Sequence, residues 1–242
     1  MRPIRTAYDL RRLGNILSIW AHPDDETFTC AGIMAAALRN GQNVRCITAT
    51  HGEKGMQNSS AYKHARMGSI RTTEMQNALR IIGVSDHVWL NYSDGGCDDR
   101  RVNGTSDIAA LLFNYRPDTI LTFGPEGLTG HSDHVAVSQW VSSAVGMLDF
   151  DVNIYHAVEE TSRYEQHLKA ADKEFNIYFN IDHPIMKSAD ECDIAFQLSP
   201  ELCKLKHDAF QAMDSQTHKL LAYFDRTQSF DEVFCCETFV AI

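Results

Sequence analysis

The sequence lacks three features: a long apolar run, a basic stripe and a CxxC pair. A membrane-spanning helix needs about 20 apolar residues, whereas the run at 16–21 stops after six at His-Pro-Asp-Asp, too short even for a signal peptide. The formal net charge of −10 disfavours binding to nucleic acid or to an anionic membrane. We therefore expect a cytoplasmic protein with no membrane span and no nucleic-acid partner.

Cysteine is present but shows no pairing pattern. The seven cysteines are an odd number, which argues against a disulfide framework and against a zinc-thiolate site. Most are expected to be buried free thiols in a reducing compartment. The adjacent Cys235 and Cys236 could oxidise, but packing in a strand is the favoured interpretation.

Short apolar segments alternate with segments of helical periodicity over the first two thirds of the chain. The predicted strands are 15–22, 44–52, 87–92, 118–125 and 151–158, and the predicted helices are 30–41, 66–84, 105–117 and 131–148. This alternation is typical of the α/β class with a mostly parallel sheet flanked by helices. We expect one domain, 1–242, with a core at 12–160 and a C-terminal embellishment at 161–242 that includes a helix at 199–224 and a closing strand.

Polar segments follow four of the predicted strands, at 22–26, 51–55, 92–96 and 125–134. The carboxyl ends of parallel strands meet at one edge of a sheet, and ligands bind at that edge. The sequence therefore predicts a single site built from segments that lie far apart along the chain.

Two short motifs carry the metal-ligating residue types. His22 and Asp25 are three residues apart after a strand, and His131 and His134 repeat that spacing at a helix start. Two histidines and one carboxylate form a catalytic zinc set with an open fourth position. We predict His22, Asp25 and His134 as ligands of Zn²⁺ or of another divalent first-row metal such as Fe²⁺.

The remaining polar residues of the two motifs suit catalysis. Asp24, free of the metal, can take a proton from water as a general base. His131 can face the carbonyl oxygen as charge develops on it, and Asp133 could orient His131.

Helix capping is the alternative explanation of each motif taken alone. Asp24 after proline, and Ser132 or Asp133 in the second motif, are favourable cap residues. Because both motifs follow strands at the same predicted edge, the metal site is favoured over two independent caps.

The motifs AHPDDE at 21–26 and GHSDHV at 130–135 resemble those of the PIG-L/LmbE-like family of zinc-dependent N-deacetylases. The resemblance extends through THGEKG at 50–55, IRTTEM at 70–75 and YSDGG at 92–96, and weakens after residue 160. It implies a Rossmann-like sheet and the same metal ligands, base and electrophilic histidine. It also implies a sugar pocket lined by Arg71 and Asp94, with Glu53 near its mouth.

The resemblance further suggests a homo-oligomer, a trimer or a hexamer. In one departure from the family, Thr129 stands where some relatives have a tyrosine that acts on the oxyanion.

The resulting hypothesis is a metal-dependent hydrolase that removes the N-acetyl group from a small substrate containing N-acetylglucosamine. One alternative is an amidase acting on a thiol S-conjugate or on another N-acyl amino sugar or glycopeptide. The other is a non-catalytic metal- or sugar-binding module. Asp24 argues against the module, because metal binding alone has no use for a second adjacent carboxylate.

Overall fold

The computed structural model describes residues 2–55 and 64–242. The strands are β1 (Ile16–Trp20), β2 (Val44–Thr50), β3 (Asp86–Tyr92), β4 (Thr119–Phe123), β5 (Asn153–Ala157), β6 (Glu159–Glu160), β7 (Met186–Lys187), β8 (Ile194–Gln197) and β9 (Cys236–Ala241). All but β6 and β7 join one seven-stranded sheet, in the order β3-β2-β1-β4-β5-β9-β8.

Helices flank this sheet. They are α1 (Asp25–Arg39), α2 (His64–Ile82), α3 (Gly104–Tyr115), α4 (Gly127–Gly130), α5 (Ser132–Val145), α6 (Thr161–Arg163), α7 (Lys169–Phe175), α8 (Pro200–Ala212), α9 (Asp214–Thr227) and α10 (Phe230–Phe234). A short 3₁₀ helix (Asp9–Leu13) precedes β1, and one π-helical turn (Tyr164–Leu168) joins α6 to α7. The predicted α/β class with a mostly parallel sheet is confirmed, since all pairings among β1 to β5 are parallel.

The direction of chain progress reverses beside β1. From β1 the chain builds outward through β2 to β3, then returns to place β4 and β5 on the other side of β1. All five residues of β1 and of β4 are buried, as expected of strands covered on both faces. In open α/β sheets the crevice at such a reversal is where ligands bind. The topology therefore points to the loops that follow β1 and β4.

The C-terminal region completes this sheet. β9 runs antiparallel to both β5 and β8, and side chains from α8, α9 and α10 join the same apolar core as β1 and α1. The predicted helix at 199–224 is two helices, because Met213 leaves helical geometry with φ −104° and ψ 40°. Residues 161–242 thus share both the sheet and the core of the first part.

The first helix is interrupted near its start. Cys30 has φ −145° and ψ 17°, so α1 consists of a short segment before Cys30 and a longer one after it. The predicted helix at 30–41 corresponds to the second segment. The amides of Gly32 and Ile33, exposed by the break, donate to the carboxylate of Glu237 in β9 at 2.8 and 2.7 Å. This carboxylate caps the second segment as an N-cap side chain would.

The cysteines largely match the sequence prediction. Cys30, Cys46, Cys97 and Cys192 are buried free thiols. Cys203 and Cys235 are bonded as a disulfide, so the expectation of a free, packed thiol is wrong at Cys235. Within the described residues, no helix is both long enough and apolar enough to cross a membrane.

Candidate metal centre

The loop after β1 places three side chains at the edge of the sheet. Asp24 has φ 105°, a backbone conformation that L-residues rarely adopt, and this turn separates its side chain from that of Asp25. Asp24 makes no side-chain cap hydrogen bond to α1. The capping explanation of the first motif therefore does not fit, and the strained turn must be held by other contacts.

His22 and His134 face each other across the reversal of the sheet. Nδ1 of His22 lies 3.0 Å from Nε2 of His134. The other nitrogen of His134, Nδ1, lies 2.9 Å from the carbonyl oxygen of Gly127, so it carries the proton. The other nitrogen of His22, Nε2, lies 3.1 Å from the Asp133 carboxylate and also carries a proton. If His22 were neutral, the two nitrogens that face each other would both present lone pairs, so the contact requires a positive charge between them, either a proton on Nδ1 of His22 or a bound cation.

Asp25 completes a triangle with these nitrogens. Its oxygens lie 3.8 Å from Nδ1 of His22 and 3.4 Å from Nε2 of His134. Ligands about 2.0–2.1 Å from a tetrahedral metal ion are about 3.3 Å apart, a value inside the observed range. The donor set and its spacing fit a divalent metal ion. The structure thus brings together the three ligands predicted from the sequence.

The electrostatics of the triangle favour a single positive charge. Burial works against a charged His22, but hydrogen bonds to the carboxylates of Asp133 and Asp94 raise its pKa to about 10. Burial lowers the pKa of His134 to about 4. One bound cation would take the place of the proton on His22.

Asp133 acts on a different histidine from the one predicted. Its carboxylate contacts Nε2 of His22 and accepts the amides of Gly95 at 2.6 Å and Cys97 at 3.0 Å. Only the backbone N–H of Asp133 reaches His131. The expectation that Asp133 orients His131 is therefore replaced by an orientation of the metal-facing His22. Carboxylates commonly orient metal-binding histidines in this way.

Asp24 is held beside the triangle by Arg71. Nη2 of Arg71 lies 3.2 Å from Oδ2 of Asp24 and donates to the carbonyl of Pro23 at 2.6 Å. Burial raises the pKa of Asp24 to about 7, the Arg71 guanidinium works against that rise, and the charge of Asp25 adds to it. A carboxyl group with such a pKa can both accept and return a proton near neutral pH.

His131 lines the same cavity as a neutral donor. Its Nδ1 accepts the N–H of Asp133 at 3.1 Å, which caps α5 and places the ring proton on Nε2. Burial lowers the pKa of His131, and the charge on His22 lowers it further. The imidazole therefore stays uncharged and offers one N–H.

The three residues expected to contact a sugar have structural partners as well. Arg71 lines the cavity, and its buried Nε has no hydrogen-bond partner among the described residues. Asp94 also lines the cavity, but its oxygens contact Nε2 of His22 at 3.2 Å and the amide of Lys54 at 2.7 Å. The Glu53 carboxylate accepts the N–H of Asp94 at 2.9 Å, beneath the residues that line the cavity. Of the three, Arg71 therefore has a polar atom without a partner among the described residues, but that atom is itself buried.

The cavity at the site has a volume of about 430 Å³. Polar residues line the part near β2 and β3, and apolar residues from the C-terminal region line the part beyond β5. Sequence reasoning did not assign this second wall, because most of its side chains come from segments after residue 160 where no motif was identified. Thr129 contributes a hydroxyl 3.2 Å from Nδ1 of His134.

Comparisons with known proteins identify a family and several relatives of this chain. The sequence profile of the family described as "PIG-L: GlcNAc-PI de-N-acetylase" matches residues 17–145, more than half of the chain. A 1D-myo-inositol 2-acetamido-2-deoxy-alpha-D-glucopyranoside deacetylase of Mycobacterium sp. (strain KMS) is 32% identical over 159 residues, covering 57% of this chain and 52% of the relative. The chain thus spans about half the length of the curated relatives it matches.

Two solved structures show the same fold. The N,N'-diacetylchitobiose deacetylase of Pyrococcus horikoshii superposes with a TM-score of 0.66 at 18% identity, over 96% of this chain and 85% of that one. The 4-carboxy-2-hydroxymuconate hydratase GalB of Pseudomonas putida KT2440 superposes with a TM-score of 0.65 at 16% identity, over 95% of this chain and 96% of that one. Since the second neighbour is a hydratase, the reaction has to be argued from the site and not from the fold.

Proposed function

The chain belongs to the PIG-L family, and on that premise we propose that it is a metal-dependent hydrolase removing the N-acetyl group from a substrate that contains N-acetylglucosamine. The observation that carries this proposal is the close approach of Nδ1 of His22, Nε2 of His134 and the carboxylate of Asp25. The spare carboxylate of Asp24 beside that triangle gives the site a proton acceptor.

The metal would be held by Nδ1 of His22, Nε2 of His134 and the Asp25 carboxylate. When bound, a divalent ion supplies Lewis acidity, which lowers the pKa of water from about 15.7 towards 7 and polarises a carbonyl group. We propose zinc as the ion, with Fe²⁺ as the alternative that the same donor set accepts.

Asp24 moves the proton in both halves of the reaction. Its carboxylate takes a proton from the attacking water while the water oxygen forms a bond to the acetyl carbon. The protonated carboxyl group then gives that proton to the sugar nitrogen as the carbon–nitrogen bond breaks. Acetate and the free amine leave, and Asp24 returns to its starting state, held by Arg71.

His131 stabilises the charge that develops on the carbonyl oxygen. A neutral imidazole with its proton on Nε2 can donate one hydrogen bond to this oxygen, and its protonation state does not have to change. Asp133 and Asp94 keep His22 oriented, and we propose that Arg71, which lines the cavity, contacts the sugar.

The proposal is tested by loading the purified protein with Zn²⁺ and offering N-acetylglucosamine, its inositol glycoside and N,N'-diacetylchitobiose. We expect equal amounts of primary amine and acetate from at least one of them. A protein that binds one equivalent of metal yet releases neither product from any of them would instead be a metal- or sugar-binding module.

A further inference from the structure

The order of the strands divides the cavity into two sides around the metal centre. Residues that follow β2 and β3 lie on one side, and they present charged and backbone polar groups from Lys54, Asp94 and Gly95. Residues that follow β5, together with β9 and the C-terminal helices, lie on the other side. A group held at the metal centre therefore has the polar residues that follow β2 and β3 on one side. On the other side it has residues that follow β5, from β9 and from the C-terminal helices.

The wall beyond β5 is apolar. We call it the apolar lobe and define it by Phe28, Leu168, Ile177, Leu220, Val233 and Phe234. The ring of Phe28 stacks edge-on against Phe234, with centroids 5.8 Å apart, which fixes one face of the lobe. Phe28 is four residues from Asp24 in the sequence, so the lobe begins directly beside the reacting groups.

The polar groups that lie within the apolar lobe are bonded to one another. Glu159 accepts Nε of Arg163 at 2.6 Å and the hydroxyl of Tyr178 at 2.8 Å. The two terminal nitrogens of Arg163 donate to the carbonyl of Cys236 and the hydroxyl of Thr238. A ligand in this lobe finds these groups already satisfied, so a sugar would lose its hydrogen bonds to water there without replacement.

We propose that the apolar lobe binds an aliphatic acyl chain longer than acetyl, carried on the nitrogen of the amino sugar. This inference rests on the proposed function, in which the carbonyl lies at the metal centre and the sugar lies on the polar side. The acyl chain then has one direction in which to extend, into the lobe. The whole cavity, which includes the metal centre and the polar side as well as the lobe, has a volume of about 430 Å³, in the range of sites for drug-sized ligands.

The reaction is unchanged by the longer chain. Water adds its oxygen to the acyl carbon, the carbon–nitrogen bond breaks, and the products are a fatty acid and the amine. Each buried methylene is expected to raise kcat/KM by roughly fourfold, until the chain fills the lobe.

The test measures amine release by the zinc-loaded protein from N-acetyl-, N-butanoyl-, N-hexanoyl- and N-octanoylglucosamine. We expect kcat/KM to rise along the series. Hydrolysis of the acetyl compound with flat or falling kcat/KM would overturn the lobe assignment and leave the hydrolase intact. Release from none of the four would count against the proposed function itself. A larger gain from an octyl glycoside of N-acetylglucosamine than from the octanoyl amide would also overturn the assignment, because the alkyl group would then lie on the sugar.

A matched pair of variants locates the effect. Leu220→Ser removes apolar surface from the half-buried side chain of α9, whereas Leu220→Met keeps it. We expect the serine variant to lose at least about tenfold in kcat/KM for the octanoyl amide while the acetyl amide changes less than twofold, and the methionine variant to resemble the parent. An equal loss for both amides in the serine variant would contradict the proposal.

Binding gives a readout that needs no turnover. Calorimetry of the same series of N-acylglucosamines, from acetyl to octanoyl, is carried out with an Asp24→Asn variant. The heat-capacity change of binding should become more negative as the acyl chain lengthens, which is the signature of apolar burial. A heat-capacity change independent of chain length would show that the chain stays in water.

Discussion

The ammonium group of Lys206 and the carboxylate of Glu237 form an ion pair of 2.7 Å, with both side chains 1% exposed. Lys206 also donates to the carbonyl of Phe28 at 2.9 Å, at the end of the first segment of α1. Glu237 accepts the amides that begin the second segment. The pair therefore bonds to both sides of the break and holds the short segment that starts at Asp25.

Replacing one member of this pair should be costly. Glu237→Gln leaves the ammonium of Lys206 buried without a charged partner, and we expect a loss of about 3–5 kcal/mol in the free energy of unfolding. The double variant Lys206→Met/Glu237→Gln should lose less than Glu237→Gln alone, because no buried charge remains. Urea denaturation at neutral pH gives the free energy of unfolding of the parent, of Glu237→Gln and of the double variant.

The exposed pair Lys204–Asp208 on α8 is the matched control for the buried pair. Lys204→Met should change the free energy of unfolding by less than about 1 kcal/mol. A double variant at Lys206 and Glu237 that is less stable than Glu237→Gln alone would contradict the argument.

Asp24→Asn should abolish turnover while the metal stays bound. Asparagine keeps the size of the side chain and tolerates a positive φ better than most residues, but it cannot accept the proton of water. We expect kcat to fall by about 10²–10⁴-fold. Metal analysis of the same sample should still give one equivalent, and the exposed Asp151→Asn serves as the control. Activity within twofold of the parent would remove Asp24 from its role as base.

His134→Ala and His131→Ala should separate metal binding from catalysis. The first removes a nitrogen of the triangle, so the purified protein should contain substoichiometric metal and recover little when zinc is added back. The second should retain its metal and lose about 10²–10³-fold in kcat, the usual effect of losing one oxyanion donor. The two variants therefore differ in metal content after dialysis against a chelator. Equal metal loss in both would place His131 among the ligands.

The free energy of unfolding should depend on pH through His87. The pKa of His87 is lowered from 6.5 to about 4, mainly by burial and in addition by the nearby His51, while Asp86 works in the opposite direction. Between about pH 6.5 and pH 4 the unfolded chain binds a proton at this position that the folded protein does not. The free energy of unfolding should therefore fall by roughly 2–3 kcal/mol as the pH drops through this window, and should be unaffected by His87 above it.

Denaturation curves of His87→Gln measure this contribution. Glutamine can keep a hydrogen bond to Thr48, which lies 3.1 Å from Nε2 of His87, and it does not titrate. The slope of stability against pH should flatten in this variant but not in His183→Gln, where the side chain is exposed. An unchanged slope in His87→Gln would show that another group causes it.

The sheet and the metal triangle could be predicted from the sequence because each depends on local patterns. Strands such as Ile16–Trp20 are short apolar runs between helices, and the spacing of His22 to Asp25 and of His131 to His134 places ligands on adjacent loops. The shared edge of parallel strands then brings the two loops together.

Other features depend on contacts that no local pattern reveals. The partner of the Asp133 carboxylate could be either of two histidines, and only the three-dimensional path of the loop selects His22. The start of α1 was missed because polar residues precede the break at Cys30, and the carboxylate that permits the break is 205 residues from Gly32. The direction of β9, antiparallel to β5, follows from tertiary packing.

The separation between Gly32 and Glu237 has a consequence for how the molecule is made. At roughly 5–20 residues per second, a ribosome delivers Glu237 about 10–40 s after Gly32. During that interval the nascent α1 has neither its carboxylate nor its ammonium partner, so the Asp25 loop stays loosely held while the parallel strands assemble.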